Sequence, residues 1–265
     1  MRPNRIREIW AKGGAVINGW LAVPSTYSAE VMAHAGWDSL CVDLQHGNND
    51  YQTAIAMFQA IVTTDTVPIC RVPWSEPGLV GKMLDGGAYG VIAPMVNNRA
   101  QAEAFVSYTR YPPRGQRSFG PIRGLLYGGP DYAEHANDTI VALAQVETRE
   151  SIENLDEIVQ VPDLDGLYIG PADLALSYGK KPVFDTEDRE MWDLFMRVRD
   201  ACRKAGKVAC IHCGSAAYAR RMADEGFQLM TVLSDARLMA AGAAAAVKAF
   251  REGAPAQASP SGSGY

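Results

Sequence analysis

Two short apolar segments of the chain each end beside a carboxylate residue. Segment 140–146 is followed by Glu147, and segment 164–169 is followed by the turn-forming sequence Gly170-Pro171-Ala172-Asp173. If the segments are neighbouring parallel strands, roughly 5 Å apart, Glu147 and Asp173 converge on one point. Two carboxylates without an adjacent His or Cys are hard oxygen ligands, which suit Mg²⁺ or Mn²⁺ better than structural zinc. The pair predicts a metal-assisted enzyme, although each residue alone could be an ordinary strand-end charge.

A candidate acid–base pair lies earlier in the chain, in the sequence VDLQHG. Asp43 and His46 are three residues apart there. A carboxylate near an imidazole fixes its tautomer and raises its basicity, which suits general-base catalysis. The alternative for His46 is an exposed loop histidine without a catalytic role.

Arg71 ends a third apolar segment. An arginine at a buried strand end needs an anionic partner, and a substrate carboxylate or a developing enolate oxygen would serve. A structural ion pair with Asp43 or Asp85 is the alternative. Asp85, in the helix predicted after that segment, could instead complete a network with His46.

The elements that would position these residues repeat along the chain. Most of the eight apolar runs are continuous rather than alternating, as is typical of strands buried on both faces. The runs cover residues 15–21, 39–43, 67–72, 90–95, 140–146, 164–169, 208–212 and 228–233. Segments with helical spacing separate them, so the sequence predicts a (β/α)₈ barrel, with chemistry at the carboxyl ends of the strands. An open doubly wound sheet is the alternative, but no Gly-rich dinucleotide loop opens a first helix.

Two further features of the runs bear on the chemistry. The sequence Cys210-Ile211-His212-Cys213 resembles a metal or redox spacing, yet alternation along a strand points residues 210 and 213 to opposite faces, which favours packing. None of the seven lysines stands at the carboxyl end of a strand, where an imine-forming lysine would be needed.

Composition limits the possible partners and the compartment. The 265 residues carry a net charge of −5 without a Lys/Arg-rich run, so nucleic-acid binding is not expected. No apolar stretch is long enough to span a membrane, and the first residues lack the apolar core of a signal peptide. Five cysteines suggest a reducing compartment. We therefore expect a cytoplasmic protein with one domain over residues 1–252 and a disordered tail over residues 253–265.

Six stretches together resemble the HpcH/HpaI aldolases, which are class II pyruvate aldolases of the phosphoenolpyruvate/pyruvate barrel superfamily. The resemblance extends over about residues 3–252. Its stretches are VDLQHG (42–47), CRVP (70–73), LDGGAYGVIAPMV (84–96), TRYPPRGQRSFG (109–120), QVETRE (145–150) and IGPADLALSYG (169–179).

The resemblance assigns roles to the residues of these stretches. It implies that Glu147 and Asp173 hold a divalent metal, and that His46 acts as the base, directly or through water. It also implies that Asp43 orients His46 and that Asp85 tunes its basicity.

Substrate contacts are implied in the same way. Arg71 is expected to stabilise an enolate, while Gln145 and the backbone of Gly170, Pro171, Ala172 and Asp173 hold the carboxylate of the 2-oxo acid. The family usually has glutamate where this chain has Gln45, so that charge is missing here.

The implied activity is the metal-dependent aldol cleavage or condensation of 4-hydroxy-2-oxo acids, giving pyruvate and an aldehyde with Mg²⁺, Mn²⁺ or Co²⁺. Two adjacent oxygens of a 2-oxo acid can chelate such a cation, which polarises the ketone. Two other hypotheses are a lyase of the same fold acting on acyl-CoA thioesters and a non-catalytic protein that binds oxo acids.

The resemblance also implies assembly. The small-residue helix predicted over residues 235–251 would be exchanged between subunits of a dimer, and three dimers would form a hexamer. The predicted loop 115–131, with Arg117 and Phe119, would cover a neighbour's active site or supply a cation to it, or be a plain surface loop.

Overall fold

The computed structural model describes residues 1–252. Its eight strands form a closed barrel in chain order, all neighbours are parallel, and the last strand pairs with the first. The strands are β1 (Val16–Leu21), β2 (Ser39–Asp43), β3 (Val67–Arg71), β4 (Gly90–Ala93), β5 (Val141–Val146), β6 (Gly166–Ile169), β7 (Val208–Cys213) and β8 (Leu229–Val232). The predicted (β/α)₈ barrel is confirmed, and the closure between β1 and β8 excludes the open sheet.

Helices connect the strands on the outside of the barrel. They are α1 (Arg5–Ala11), α2 (Thr26–Ala33), α3 (Tyr51–Ile61), α4 (Pro77–Asp85), α5 (Arg99–Thr109), α6 (Ile122–Gly128), α7 (Tyr132–Thr139), α8 (Arg149–Glu153), α9 (Leu155–Ile158), α10 (Pro171–Ser177), α11 (Arg189–Lys204), α12 (Ala216–Asp224) and α13 (Asp235–Glu252). Several begin after a side chain that accepts a hydrogen bond from the first turn, as Ser25, Asp50, Asn98, Thr148, Asp188 and Ser215 do. These caps fix where the chain turns from strand to helix.

The core follows from the continuous apolar runs. Every residue of β2, β3, β4, β5, β6 and β8 is buried, because the strands are covered by helices outside and by each other inside. Helix α11 buries Met191, Phe195, Val198 and Cys202. Their spacing of four, three and four residues places all four on one face of the helix. The carboxyl ends of the strands are thereby held at one end of a rigid barrel.

The connection after β4 differs from the prediction. Residues 115–131 are not a plain loop, because they contain α6, and the side chain of Arg117 is fully buried in its own subunit. Arg117 lies between Tyr111 and Tyr132, with its guanidinium 4.4 and 5.4 Å from the two ring centres. It therefore packs inside the subunit, and the exposed apolar side chains of this segment are Phe119, Ile122, Leu125 and Leu126.

The last helix, α13, stands apart from the barrel. Asp235 at its start is its one buried residue, and Met239, Val247 and Phe250 expose 60%, 50% and 88% of their surface. A helix that covered its own barrel would bury such side chains.

In residues 1–252 no helix is long and apolar enough to cross a membrane. The tail that we expect to be disordered, residues 253–265, lies outside the described residues.

Candidate active site

A cavity of about 390 Å³ opens at the carboxyl ends of the barrel strands. Its walls come from β1, β2, β3, β5, β6 and β7, from the segments that follow them, and from the segment after β8. The lining residues are Trp20, Ala22, Asp43, His46, Arg71, Gln145, Tyr168, Gly170, Pro171, Ala172, Asp173, Phe184, His212, Ser234 and Arg237. The barrel thus brings the candidate residues from four separate stretches of sequence to one place.

Glu147 lies beside this cavity and is almost completely buried, with 2% of its surface exposed. Pairing of Val146 with Ile169 makes β5 and β6 neighbours, so Glu147 sits beside Gly170 as the sequence predicts. Its carboxylate accepts hydrogen bonds from the Gln145 amide and from the backbone N–H of Met95, the latter at 2.8 Å. Both donors are neutral.

The electrostatic state of Glu147 follows from this environment. Burial raises its pKa to about 7, the two hydrogen bonds oppose that rise, and the negative charge of Asp173 adds to it. Within residues 1–252 no Lys or Arg forms an ion pair with Glu147 or Asp173. A buried carboxylate beside a second carboxylate therefore lacks a counterion from its own chain.

This donor set fits a hard divalent cation. Glu147 and Asp173 supply carboxylate oxygens, and the side chain of Asp173 accepts no hydrogen bond from the described residues and lines the cavity. No group of three or more His, Cys, Asp or Glu residues gathers anywhere in the described part of the chain, so a cation here would complete its shell with water or substrate oxygens. The side-chain oxygen of Gln145 is buried without a hydrogen-bond partner beside this pair.

The backbone around Glu147 is specialised. Met95 has a φ of +56°, a left-handed conformation that non-glycine residues rarely adopt, and this turn aims its N–H at the Glu147 carboxylate. On the other side, a Cβ atom at Gly170 would collide with Glu147 Oε2. The residue at position 170 must therefore be glycine for the two carboxylates to approach.

Arg71 and Asp43 form a buried pair at the cavity floor. Arg71 Nε and Nη2 donate to the two oxygens of Asp43 at 3.0 and 2.7 Å, and Trp20 donates to the same carboxylate at 3.1 Å. Burial alone would raise the pKa of Asp43, but the hydrogen bonds and charge of Arg71 outweigh it and lower the pKa. The structural alternative for Arg71 is thus realised, while its guanidinium still faces the cavity.

The expected contact between Asp43 and the imidazole of His46 is absent from residues 1–252. Asp43 accepts hydrogen bonds from the backbone N–H groups of Gln45 and His46, at 3.0 and 3.3 Å, while the ring of His46 is exposed at the cavity. The reason is competition, because Arg71 and Trp20 occupy the carboxylate. Asp43 therefore fixes the loop that carries His46 rather than its tautomer.

Asp85 also differs from the expectation. Its carboxylate accepts a hydrogen bond from Arg117 at 2.8 Å and does not line the cavity. Arg117 is held in turn by the hydroxyl of Tyr132 at 3.0 Å. Within one subunit Asp85 belongs to this buried network, and the structure does not bring it to His46.

The sequence interpretation missed the far wall of the cavity. His212, assigned to packing, lines the cavity between Trp20 and Phe184, and Arg237 lies at the start of α13. Alternation along β7 was a usable signal, because it places His212 on the opposite face from Ile211 and Cys213. Phe184 comes from a long connection without a strand pattern, so no sequence signal located it.

Comparisons with known proteins agree with this geometry. A family model described as HpcH/HpaI aldolase/citrate lyase matches residues 17–247. A hydroxypyruvate/pyruvate aldolase of Rhizorhabdus wittichii is 42% identical, over 91% of this chain and 96% of that protein. A 4-hydroxy-2-oxo-heptane-1,7-dioate aldolase of Klebsiella pneumoniae is 35% identical, over 95% of both. A solved HpcH/HpaI aldolase/citrate lyase family protein from Burkholderia cenocepacia superposes with a TM-score of 0.86 at 31% identity, over 93% of this chain and 98% of that one.

Proposed function

The chain belongs to the HpcH/HpaI aldolase/citrate lyase family, and on that premise we propose how its cavity cleaves 4-hydroxy-2-oxo acids to pyruvate and an aldehyde. The protein is a carbon–carbon lyase of the aldolase type, and its small-molecule substrates are pyruvate and aldehydes. The observation that carries the proposed mechanism is one cavity lined by Asp173, Arg71 and His46, with the buried carboxylate of Glu147 beside it.

Glu147 and Asp173 are the residues that would hold the divalent cation. Bound there, the cation supplies Lewis-acid polarisation of the substrate ketone. Mg²⁺, Mn²⁺ and Co²⁺ are the candidates, because all accept carboxylate and water oxygens. We propose that Gln145 and the backbone N–H groups of Ala172 and Asp173, which have no partner within α10, bind the substrate carboxylate.

His46 and Arg71 then handle the proton and the charge. His46 accepts the proton of the C4 hydroxyl, the C3–C4 bond breaks, and its electron pair enters the enolate of pyruvate while the aldehyde leaves. Two guanidinium nitrogens of Arg71 are bound to Asp43, so its orientation is fixed before substrate arrives. We propose that its remaining N–H groups donate to the enolate oxygen. The proton held by His46 is then available to C3, which completes pyruvate.

The decisive experiment measures pyruvate release from a panel of 4-hydroxy-2-oxo acids after chelation and after adding back Mg²⁺, Mn²⁺ or Co²⁺. We expect activity to vanish on chelation and in Glu147→Gln, because the cation loses its buried ligand. Glu150→Gln is the matched control, since it makes the same change at an exposed position on α8. Full activity after chelation, or cleavage of acyl-CoA thioesters without pyruvate release, would contradict the proposal.

A second variant separates the base from the metal site. His46→Ala should lose roughly 10²–10⁴ in turnover while metal affinity is retained, because His46 lies on a different strand end from Glu147 and Asp173. Arg71→Ala should slow deuterium exchange into the methyl group of pyruvate. Normal turnover in His46→Ala would remove the base from the mechanism.

We further propose a cytoplasmic homo-oligomer, a hexamer built as a trimer of dimers. All five cysteines are buried and unpaired in residues 1–252, which supports a reducing compartment. The exposed apolar side chains of α13 support exchange of this helix between subunits.

A further inference from the structure

A row of stacked side chains crosses the cavity wall from Arg71 to Arg237. The Arg71 guanidinium lies 4.8 Å from the ring centre of Trp20, and the Trp20 ring meets His212 edge-on at 5.0 Å. Phe184 covers the other side of His212 at 4.8 Å, and Arg237 lies 4.7 Å from the Phe184 ring. His212 thus contacts two aromatic rings, and the ring of Trp20 separates it from Arg71.

Nδ1 of His212 lies next to a pair of hydroxyl groups inside the barrel. The hydroxyl of Tyr168 is 2.8 Å from Thr231 Oγ1 and 3.1 Å from His212 Nδ1. We assign the Tyr168 hydrogen to Thr231, and with that assignment the Tyr168 oxygen accepts the Nδ1 hydrogen of His212. Asn18 donates to the same Thr231 oxygen at 2.9 Å and accepts from Ser39, so the chain of donors extends across the barrel.

This arrangement leaves Nε2 of His212 as a hydrogen-bond acceptor. Nδ1 is engaged with the Tyr168 hydroxyl and Nε2 forms no hydrogen bond within residues 1–252, so Nε2 is the ring nitrogen available to a ligand in the cavity that His212 lines. Burial, with the positive charge of Arg71 second, lowers the pKa of His212 to about 3, so the ring is neutral near pH 7. A neutral acceptor flanked by Trp20 and Phe184 is suited to a donor without charge.

We propose that His212 is a specificity-determining residue whose Nε2 accepts a hydrogen bond from a hydroxyl group on the aldehyde fragment. The enzyme would then favour hydroxyaldehydes over the corresponding alkyl aldehydes. An alkyl aldehyde would cover Nε2 without donating to it, which costs the acceptor its bond to water. This inference rests on the proposed aldolase function, because the aldehyde must leave and enter through this cavity.

The test uses the metal-loaded enzyme in the synthetic direction, with pyruvate and matched aldehydes. Glycolaldehyde is compared with acetaldehyde, and glyceraldehyde with propanal, in the wild type, His212→Phe and His212→Gln. For each enzyme, kcat/KM for the hydroxyaldehyde is divided by kcat/KM for the matched alkyl aldehyde. This selectivity ratio is then divided by the wild-type ratio, which cancels the intrinsic reactivity of the aldehydes. We expect His212→Phe, which keeps the ring and removes the acceptor, to lower that ratio roughly 3- to 10-fold.

His212→Gln supplies an amide oxygen near the position of Nε2 and should restore part of the preference. An unchanged ratio in His212→Phe, or an equal loss for both members of a pair, would overturn the inference. Turnover of acetaldehyde and propanal reports the proposed function separately, because neither aldehyde carries the hydroxyl. Nitrogen-15 NMR of histidine-labelled enzyme, with the His212 signal identified by its absence in His212→Phe, should show the Nδ1–H tautomer; the Nε2–H tautomer would also overturn it.

Discussion

Glu147 is a buried acid that forms no ion pair with any Lys or Arg of residues 1–252. Its pKa of about 7 lies above the ordinary glutamate value, so the ionised form is disfavoured in the metal-free fold. In the unfolded chain the same group ionises near its ordinary value. Between these two pH values the unfolded state loses a proton that the folded state keeps, so the metal-free protein loses stability as pH rises through that window.

The corresponding prediction is a pH-dependent metal affinity. A cation binds ionised Glu147, so affinity should weaken about tenfold per pH unit below about pH 7 and level off above it. Isothermal titration calorimetry between pH 5.5 and 8.5 measures this, with proton release on binding as a second readout. Glu150→Gln, the exposed control, should keep the same profile. A flat affinity over this range would mean that Glu147 is already ionised in the metal-free protein.

The sequence predicts which side chains share one cavity better than it predicts which of them pair with each other. The candidates Asp43, His46, Arg71 and Asp173 line one cavity because strand ends converge, which spacing alone indicates. Which donor pairs with a given carboxylate depends on distances in the folded structure. Asp43 pairs with Arg71 from the next strand, which was the alternative considered for Arg71, and the spacing of three residues does not decide between Arg71 and His46 as its partner.

The turn between β6 and α10 is the element most sensitive to a small change. Gly170 packs its Cα against Glu147 and Gln145, and no methyl group fits there. We predict that Gly170→Ala moves Glu147 away from Asp173 and weakens metal binding at least tenfold, since ligand geometry is lost. The barrel itself should stay folded, because the turn lies at the open end.

Circular dichroism and metal titration of Gly170→Ala test this expectation together. Gly179→Ala is a useful comparison, since it alters another glycine of the same connection with no atom within 4 Å of its Cβ position. That control carries its own backbone strain from a φ of +73°, so it reports lost stability without a collision at the site. Normal metal affinity in Gly170→Ala would show that the turn is not tightly coupled to Glu147.

At this scale the strands were predictable and the short helices were not. Continuous apolar runs located all eight strands to within two residues at each end, because burial on both faces leaves a clear pattern. Helix α6 was missed because it is short, contains two glycines and follows Pro121 without a side-chain cap. The left-handed Met95 was equally invisible, since its conformation is imposed by the contact with Glu147.

At the scale of the whole molecule, α13 presents an apolar stripe that no other element of residues 1–252 covers. Met239, Ala243, Val247 and Phe250 recur at spacings of four, four and three, so they share one exposed face. Such a face is stabilised when a second copy covers it.

We therefore predict that the protein is a hexamer by light scattering and that Met239→Glu with Val247→Glu shifts it to smaller species. Ala241→Glu with Ala245→Glu adds the same charge on the opposite face of α13 and should leave the assembly intact. Deleting residues 236–252 should leave the chain insoluble. A stable, fully active monomer in the wild type would exclude the assembly.

The row from Trp20 through His212 to Phe184 lies on different strands and connections from the residues proposed to carry the chemistry. In the proposed mechanism, bond making depends on side chains at the ends of β2, β3, β5 and β6, whereas the wall that we propose meets the aldehyde comes from β1, β7, the connection before α11 and the start of α13. Substitutions in this wall can therefore change the selectivity for the aldehyde without changing the residues proposed to break the carbon–carbon bond. For the evolution of new aldolases, and for their engineering, diversity belongs at positions 184, 212 and 237, where a substitution changes which aldehyde is accepted and leaves the acid–base and metal residues as they are.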